Sequence, residues 1–359
     1  MKKVLILTAS FGLGHNSVAV AIKDQLEDHT SECRVEIIDA FEILSPHLKR
    51  KYEQVYKVLT DKYPKIYNYV YALRKDNEET IFDQLFYEVY KGKIYRYLEE
   101  EQPEMIISTF PMCSGIVAKI KDKLTKETPM ITVVTDVVDS WEWLHQETDM
   151  YFVPSIKVKE KLIHKEIDHS KIRVTGIPVR KEFLVKPVHE HLKKQIVIMA
   201  SAMNNMGITE DTLLKMDALE HLRIIIVTGS NKKLYEKLSS IQYKNVIILG
   251  FTTEMASLMN ASDYIITKPG GVTLFEAINL EVPLIIKDSG IGQEKANVDY
   301  VKENEIGITI DASTDLLELF EDELVNDTTL NRIRGNIKRI KKEIHSTKIA
   351  EYSLEIMSS

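Results

Sequence analysis

Residues 268–297 read KPGGVTLFEAINLEVPLIIKDSGIGQEKAN, and the run holds two strand-turn-helix units in succession. Tyr264-Ile265-Ile266, just ahead of it, is short and β-rich, which suits a buried parallel strand, and Pro269-Gly270-Gly271 breaks that strand into a turn. A helix is expected from near Val272. Two glycines at such a turn let the backbone approach a ligand, and the N–H groups and positive dipole end of the helix favour phosphate oxygens. Thr273 adds a hydroxyl, while Glu276, one turn into the helix, is placed to accept two hydrogen bonds from the vicinal hydroxyls of a ribose. Pro283 to Ile286 reads as a second buried strand, closed by the turn Gly290-Ile291-Gly292. Gln293, Glu294 and Asn297 then fall on a helix start, where their spacing projects polar groups toward one ligand. Amides and a carboxylate suit sugar hydroxyls. Each group lies at the carboxyl end of a strand, the edge where open α/β sheets hold ligands.

The amino end has a related layout. Val4 to Ala9 is a buried strand, SFGLGHNS follows, and an amphipathic helix is expected from about Asn16 to Glu27. Gly12-Leu13-Gly14 begins a near match to the dinucleotide fingerprint, but Ser17 stands where its third Gly belongs. Asp39 ends the next strand, Arg34 to Ile38, where a ribose-binding acid would sit. This half alone therefore leaves a nicotinamide-dependent oxidoreductase open. The competing reading has the Gly loop lining a cleft, with His15 at the helix start facing a reaction.

Further strands are expected at Met105 to Ser108, Met130 to Thr135, Met150 to Val153 and Ile172 to Val174. After a charged stretch from Lys181 to Lys194, broken by Pro187, the alternation restarts at Ile196 to Met199, Ile224 to Val227, Val246 to Leu249, Tyr264 to Ile266, Leu284 to Ile286 and Ile308 to Ile310. His189 and His191 in the charged stretch have no carboxylate or Cys partner at metal-ligand spacing. Beyond Asp327 an Arg/Lys-rich helical pattern runs on to the end.

Residues 46–101 differ in character. Tyrosines such as Tyr52, Tyr63, Tyr67 and Tyr71 are interleaved with Lys49, Arg50, Lys51, Lys57 and other cations, in a helical pattern broken near Pro64 and again from Lys75 to Glu79. An apolar ring with a polar tip, flanked by cations, suits an anionic headgroup layer. An ordinary helical insertion with its Tyr rings packed on the domain is the alternative.

At 359 residues the chain is comfortable as two domains. A net charge of −7 argues against a dedicated nucleic-acid binder. Cys33 and Cys113 form neither a disulfide framework nor a zinc site, which fits a reducing cytoplasm. No apolar run is long enough to span a bilayer and no leader pattern precedes the first strand, so any membrane contact is expected to be peripheral.

KPGG-T, EA and GQEK-N in residues 268–297 resemble the donor-binding signature of the glycosyltransferase family that contains the diacylglycerol glucosyltransferases, the monogalactosyldiacylglycerol synthases and the peptidoglycan N-acetylglucosaminyltransferase. The likeness runs nearly end to end. It takes in the first loop ending in Gly14-His15, TDVVDSWEWLH with Asp136, Trp143 and His145, and the turn Gly176-Ile177-Pro178. Two departures stand out: Ser140 where close relatives carry His, and ASAMNNMG, which keeps only Gly207 where the family has a Gly-rich phosphate loop.

The resemblance implies two Rossmann-like α/β domains facing across a cleft, the glycosyltransferase-B architecture. The boundaries expected are 1–180 with a helical insertion at 46–101, a linker at 181–194, a second domain at 195–335, and terminal helices at 336–359 crossing back to the first domain. It implies inverting transfer of a hexose from a UDP-sugar to diacylglycerol or a glycolipid at an anionic membrane surface on the cytoplasmic face, with no bound metal or other cofactor. His15 would be the base or would orient the acceptor, with Asp136 polarising it or serving as base itself. Gly14, Phe251, Thr252, Gly270, Gly271, Val272, Thr273, Glu276, Gln293, Glu294 and Asn297 would meet the donor. Phe251 and Thr252 would touch the uracil, although a helix capped at Thr252 or Thr253 explains the same residues. Lys49, Arg50, Lys51, Lys57 and Trp143 would face acceptor and membrane. A nucleotide-sugar-binding membrane regulator with little turnover is the rival that Ser140 and ASAMNNMG leave open.

Overall fold

Short runs of Val, Ile and Leu with no polar alternation are what strands covered on both faces require, and they form two parallel sheets. In the computed structural model of the chain the described residues are all except 11–13, 78, 187–192, 201–207, 289, 291, 312–313, 315, 324–325 and 359. Gly12, Pro187, His189, His191 and all of the ASAMNNMG loop but its first Ala thus lie outside the described residues. The chain forms two compact units, Met1–Lys181 with Ile291–Gln293 and Glu343–Ser359, and Glu182–Gly290 with Glu294–Lys342.

The first unit is built on β1 (Lys2–Thr8), β2 (Cys33–Asp39), β3 (Met105–Ser108), β4 (Met130–Val133), β5 (Met150–Val153) and β6 (Ile172–Val174), in the order β2-β1-β3-β4-β5-β6. Val4 to Leu7 and Met105 to Ile107 are almost wholly covered. Helix α1 (Gly14–His29) starts two residues earlier than the sequence pattern indicates and packs Val18, Ala19, Ile22 and Leu26 inward. After α2 (Ala40–Leu44), the Tyr-rich stretch forms α3 (Pro46–Lys62), α4 (Pro64–Asp76) and α5 (Ile81–Glu101), broken ahead of Pro64 as expected and again between Asp76 and Ile81, against an expected break from Lys75 to Glu79. Pro46 and Pro64 each occupy the first helical position, and Thr80 with Asp83 makes a capping box for α5. Helix α6 (Pro111–Ala118) follows β3, and its Gly115 lies against the Tyr87 ring, where a Cβ would collide. A later helix, α7, spans Ile156–His164.

The second unit carries β7 (Lys194–Met199), β8 (Leu222–Val227), β9 (Val246–Leu249), β10 (Tyr264–Thr267), β11 (Leu284–Lys287) and β12 (Gly307–Ile310), ordered β12-β11-β10-β7-β8-β9. That is the doubly wound order of nucleotide-binding sheets, reversing between β7 and β10. Its helices are α8 (Glu210–Asp217), α9 (Lys232–Ser239), α10 (Met255–Asn260), α11 (Gly271–Leu280), α12 (Gly292–Asn304) and α13 (Asp327–Glu343). The basic helix α13 turns Leu330, Ile333, Ile337 and Ile340 inward at helical spacing, and Arg334 pairs with Asp263 at 3.1 Å.

The last helix, α14 (Ile349–Ser358), belongs to the first unit and packs on α1. Gln25 donates to the Ser346 carbonyl at 2.9 Å, and the His345 N–H to that of Val174 at 3.0 Å. The stretch read as a linker for want of buried periodicity begins with a helical turn, Lys181–Phe183, whose Phe183 ring is fully covered. A lone aromatic anchor leaves no periodic signal.

Candidate active site

Helix α11 begins on Gly270, which brings no side-chain oxygen to its first N–H groups. Side chains of Thr80, Ser155, Thr209 and Asn231 cap the starts of α5, α7, α8 and α9, whereas α3, α4, α6 and α10 start, like α11, without a side-chain cap; of these five only α11 starts on glycine. The N–H groups of Gly271, Val272 and Thr273 thus form the kind of helix end that receives an anion. Val272 and Thr273 are partly exposed, whereas Glu276 is buried on the same helix.

Two residues of α12 hold this turn. Asn297, fully buried, donates its amide to the Pro269 carbonyl at 2.9 Å, and Glu294 pairs with Lys268 at 3.1 Å. Their order in the sequence pointed to sugar hydroxyls; the structure gives Asn297 Nδ2 a backbone partner instead, and that amide shapes the turn. Gln293 lies in the first turn of α12. Phe251 is 75% exposed after β9, open to stacking. Thr252 Oγ1 accepts the Glu254 N–H at 3.0 Å in a turn just ahead of α10, whose N-cap is Glu254 without a side-chain cap bond, so neither Thr252 nor Thr253 caps that helix.

In the first unit the sheet order reverses at β1, whose neighbours are β2 and β3. His15, on the first turn of α1 after β1, has Nδ1 2.9 Å from the Thr109 carbonyl beyond β3 and 3.1 Å from Thr135 Oγ1 beyond β4. Thr109 is itself pinned, with its hydroxyl donating to Thr8 Oγ1 at 2.8 Å. The Phe110 ring meets the imidazole edge-on at 5.0 Å. Burial pushes the His15 imidazole down to about 4, with the Thr109 bond working the other way. The ring is therefore neutral at physiological pH. Asp136, partly exposed, follows Thr135 directly, while Nδ1 of His15 faces the Thr109 carbonyl and the Thr135 hydroxyl. Gly14 opens α1 beside it.

Other expectations need correcting. Trp143, expected at the acceptor surface, is 4% exposed in a one-turn helix, Trp141–Trp143, packed on α4 and α6, so its large ring is core. Ser140 is also buried. Asp39, the ribose acid of the nicotinamide reading, caps α2 through Phe41 N–H at 3.0 Å and pairs with Lys49 at 2.7 Å. Burial opposes its ionisation, but the Lys49 ammonium and the N–H bonds prevail and hold the carboxyl below its usual range. Lys49 is thereby engaged as a structural cation. Arg50 and Lys51 are exposed, while the Lys57 side chain lies outside the described residues.

The sequence reading missed Thr109, Thr135 and Glu142. Burial, with Arg74 opposing it, pushes the Glu142 carboxyl up to about 7. Arg74 is paired to Asp83 at 2.7 Å. Nothing in local sequence brings α4, α5 and residue 142 together; the adjacency of Thr135 to Asp136 was the one available signal.

Residues 15–179 match the family model of monogalactosyldiacylglycerol (MGDG) synthase, and residues 199–346 match that of the glycosyltransferase family 28 C-terminal domain. The processive diacylglycerol beta-glucosyltransferase of Bacillus subtilis (strain 168) is 29% identical over 382 residues, covering 99% of this chain and 94% of that protein. Among solved structures, Acinetobacter baumannii MurG superposes with a TM-score of 0.64 at 14% identity, covering 100% of this chain and 99% of that one. The UDP-GlcNAc 2-epimerase of Neisseria meningitidis, bound to UDP-GlcNAc, gives 0.61 at 14%, covering 99% of each. These two share the fold, which is glycosyltransferase-B. The first half is thus similar to monogalactosyldiacylglycerol synthase, the second to the glycosyltransferase family 28 C-terminal domain, and the full length to the processive diacylglycerol beta-glucosyltransferases, so the chain is a glycosyltransferase that resembles those of glycolipid synthesis.

Proposed function

We propose that this glycosyltransferase moves a hexose, glucose or galactose, from a UDP-sugar to diacylglycerol or a glycosyl-diacylglycerol, with inversion, at the cytoplasmic face of a membrane. The observation that carries the donor assignment is the uncapped start of α11 with Glu276 buried one turn further on. In this reading the diphosphate lies on the N–H groups of Gly271, Val272 and Thr273, Glu276 takes the ribose hydroxyls, and Gln293 and Glu294 read the sugar. Phe251 lies beside the uracil, and Gly14 lets the backbone near the diphosphate. Helix-end N–H groups offset the leaving charge, so the reading calls for no bound metal.

His15 is the base in this reading. Its imidazole takes the proton of the lipid hydroxyl as the new C–O bond forms at the anomeric carbon and the bond to the diphosphate breaks, releasing UDP. The lipid class comes from the names of the relatives. Helices α3 and α4 support it with the exposed Val55, Val58, Tyr63, Ile66 and Tyr69 beside Arg50 and Lys51. A shallow groove of about 320 Å³ there is lined by Gln54, Val55, Val58, Leu59 and Tyr63. Among the described residues no helix is long and apolar enough to cross a membrane.

Incubation with UDP-glucose, UDP-galactose and UDP-N-acetylglucosamine, each with diacylglycerol in anionic vesicles, tests the proposal through UDP release and product mass. A hexosyl-diacylglycerol is expected, undiminished by EDTA. Tight UDP binding without lipid-dependent turnover would instead support the regulator reading.

A further inference from the structure

The atoms around His15 fix more than its position. A carbonyl oxygen accepts and never donates, so a ring nitrogen 2.9 Å from the Thr109 carbonyl must carry the proton. In a neutral imidazole the other nitrogen is then bare. Thr135 Oγ1, at 3.1 Å from the same Nδ1, becomes a second acceptor of that N–H. Both acceptors sit on rigid supports. Thr109 is fully buried, with its N–H on the Leu7 carbonyl at 3.1 Å and its hydroxyl on Thr8. Thr135 is 3% exposed and follows Val134, whose N–H donates to the Phe152 carbonyl on β5 at 2.9 Å. The edge-on Phe110 ring confines the imidazole on another side. A flipped ring would set a C–H against the carbonyl and forfeit both bonds.

We infer that the Thr109 carbonyl and the Thr135 hydroxyl lock His15 in the Nδ1–H tautomer, making Nε2 the proton-accepting atom and Thr135 a positioning residue for the transfer. A carboxylate orients the base in many hydrolases; here an uncharged pair does so, which leaves the imidazole a weak base that stays neutral and ready. The inference rests on the reading of His15 as base, but the tautomer itself is visible without turnover.

The test is nitrogen NMR of the full chain with labelled histidine, the His15 resonances being assigned by their loss in His15→Gln. The expected spectrum shows a protonated Nδ1 and a bare Nε2 at pH 7. Thr135→Val removes one of the two acceptors, so a minor Nε2–H population should appear beside the Nδ1–H form that the Thr109 carbonyl still favours, and kcat should fall about two- to tenfold, the effect of one lost hydrogen bond. KM for the UDP-sugar should hold, and Thr135→Ser should restore both signals. An Nε2–H signal in the native protein overturns the inference, as does an unchanged spectrum and rate in Thr135→Val. Turnover that survives in His15→Gln while the native protein shows the Nδ1–H tautomer would instead refute His15 as base.

Discussion

Asn297 Nδ2 donates to the Pro269 carbonyl across 2.9 Å, so the turn after β10 is held by the helix that follows β11. The turn proposed to receive the donor therefore depends on a contact made within the protein itself. Asn297→Ala leaves a buried carbonyl without its partner and should cost about 1–3 kcal/mol of stability. Lys268→Ala removes only a pair whose lysine is half in water, worth about 0–1 kcal/mol. Chemical denaturation of the two variants should rank them in that order, and UDP affinity should fall more in Asn297→Ala. Equal midpoints would show that the turn stands without Asn297.

Glu276 is buried on a helix whose start is open to an anion. Replacing it with Ala should cost roughly 1.5–3 kcal/mol of UDP binding, the range for a hydrogen bond to a charged group. Gln293→Ala should leave UDP binding nearly intact and weaken use of the whole UDP-sugar. Calorimetry with UDP separates the two. Unchanged affinity in folded Glu276→Ala would remove it from the ribose site.

Much of this was legible because strand-turn-helix units announce themselves locally. Pro269-Gly270-Gly271 placed the start of α11, and Pro64 placed a helix break, each through a backbone constraint carried by the residue itself. Asn297 was legible as a site residue but not in its role, since the carbonyl it holds is set by how α12 packs against the preceding turn. Trp143 misled because an aromatic beside a polar loop reads the same whether buried or exposed. The contacts of His15 with Thr109 and Thr135 join residues 94 and 120 positions apart, and only the sheet order brings them together.

Acid should weaken the fold in a defined window. Burial pushes His15 and His145 down to about 4, so below the ordinary histidine value of 6.5 the unfolded chain binds their protons and the folded chain does not. Stability from these groups falls as pH drops from 6.5 toward 4. Glu142 acts oppositely: burial raises it to about 7, so the stability from its folded-state proton is present below 4.5 and is lost as pH rises through 7. Between 4.5 and 6.5 the two histidines outweigh the one carboxyl by about one proton, so stability should still rise with pH. Denaturant midpoints at pH 4.5, 5.5 and 6.5 should climb, and more steeply in Glu142→Gln. A slope of opposite sign would contradict the placement of both imidazoles.

Vesicle binding should depend on α3 and α4. Arg50 and Lys51 are exposed beside Val55 and Val58, and each cation near an anionic surface is worth about 1 kcal/mol, screened by salt. Sedimentation with anionic vesicles should fall when Arg50 and Lys51 are made Gln, and further when Val58 and Tyr69 are made Ser. Neutralising Lys49 instead should destabilise the fold, because its ammonium holds Asp39. Equal binding to neutral and anionic vesicles at every salt concentration would exclude an electrostatic contribution.

His15 carries the sharpest prediction. Its loss should lower kcat at least about tenfold, the lower side of what general-base catalysis supplies, while UDP binding stays near the native value. The pH dependence follows from its burial: a base that protonates only near 4 is ready across the neutral range, so kcat should be flat from above pH 5.5 and fall only on approach to 4. An ordinary exposed histidine would place the acid limb near 6.5 instead. Asp136 follows Thr135 directly, and variants decide between it and His15. If turnover survives in His15→Ala and vanishes in Asp136→Asn with UDP affinity retained, the carboxylate takes the proton. If His15→Ala is the inactive variant and the native acid limb lies near 4, the proton goes to the imidazole, and its low basicity is the cost of keeping it unprotonated at the pH of the reaction.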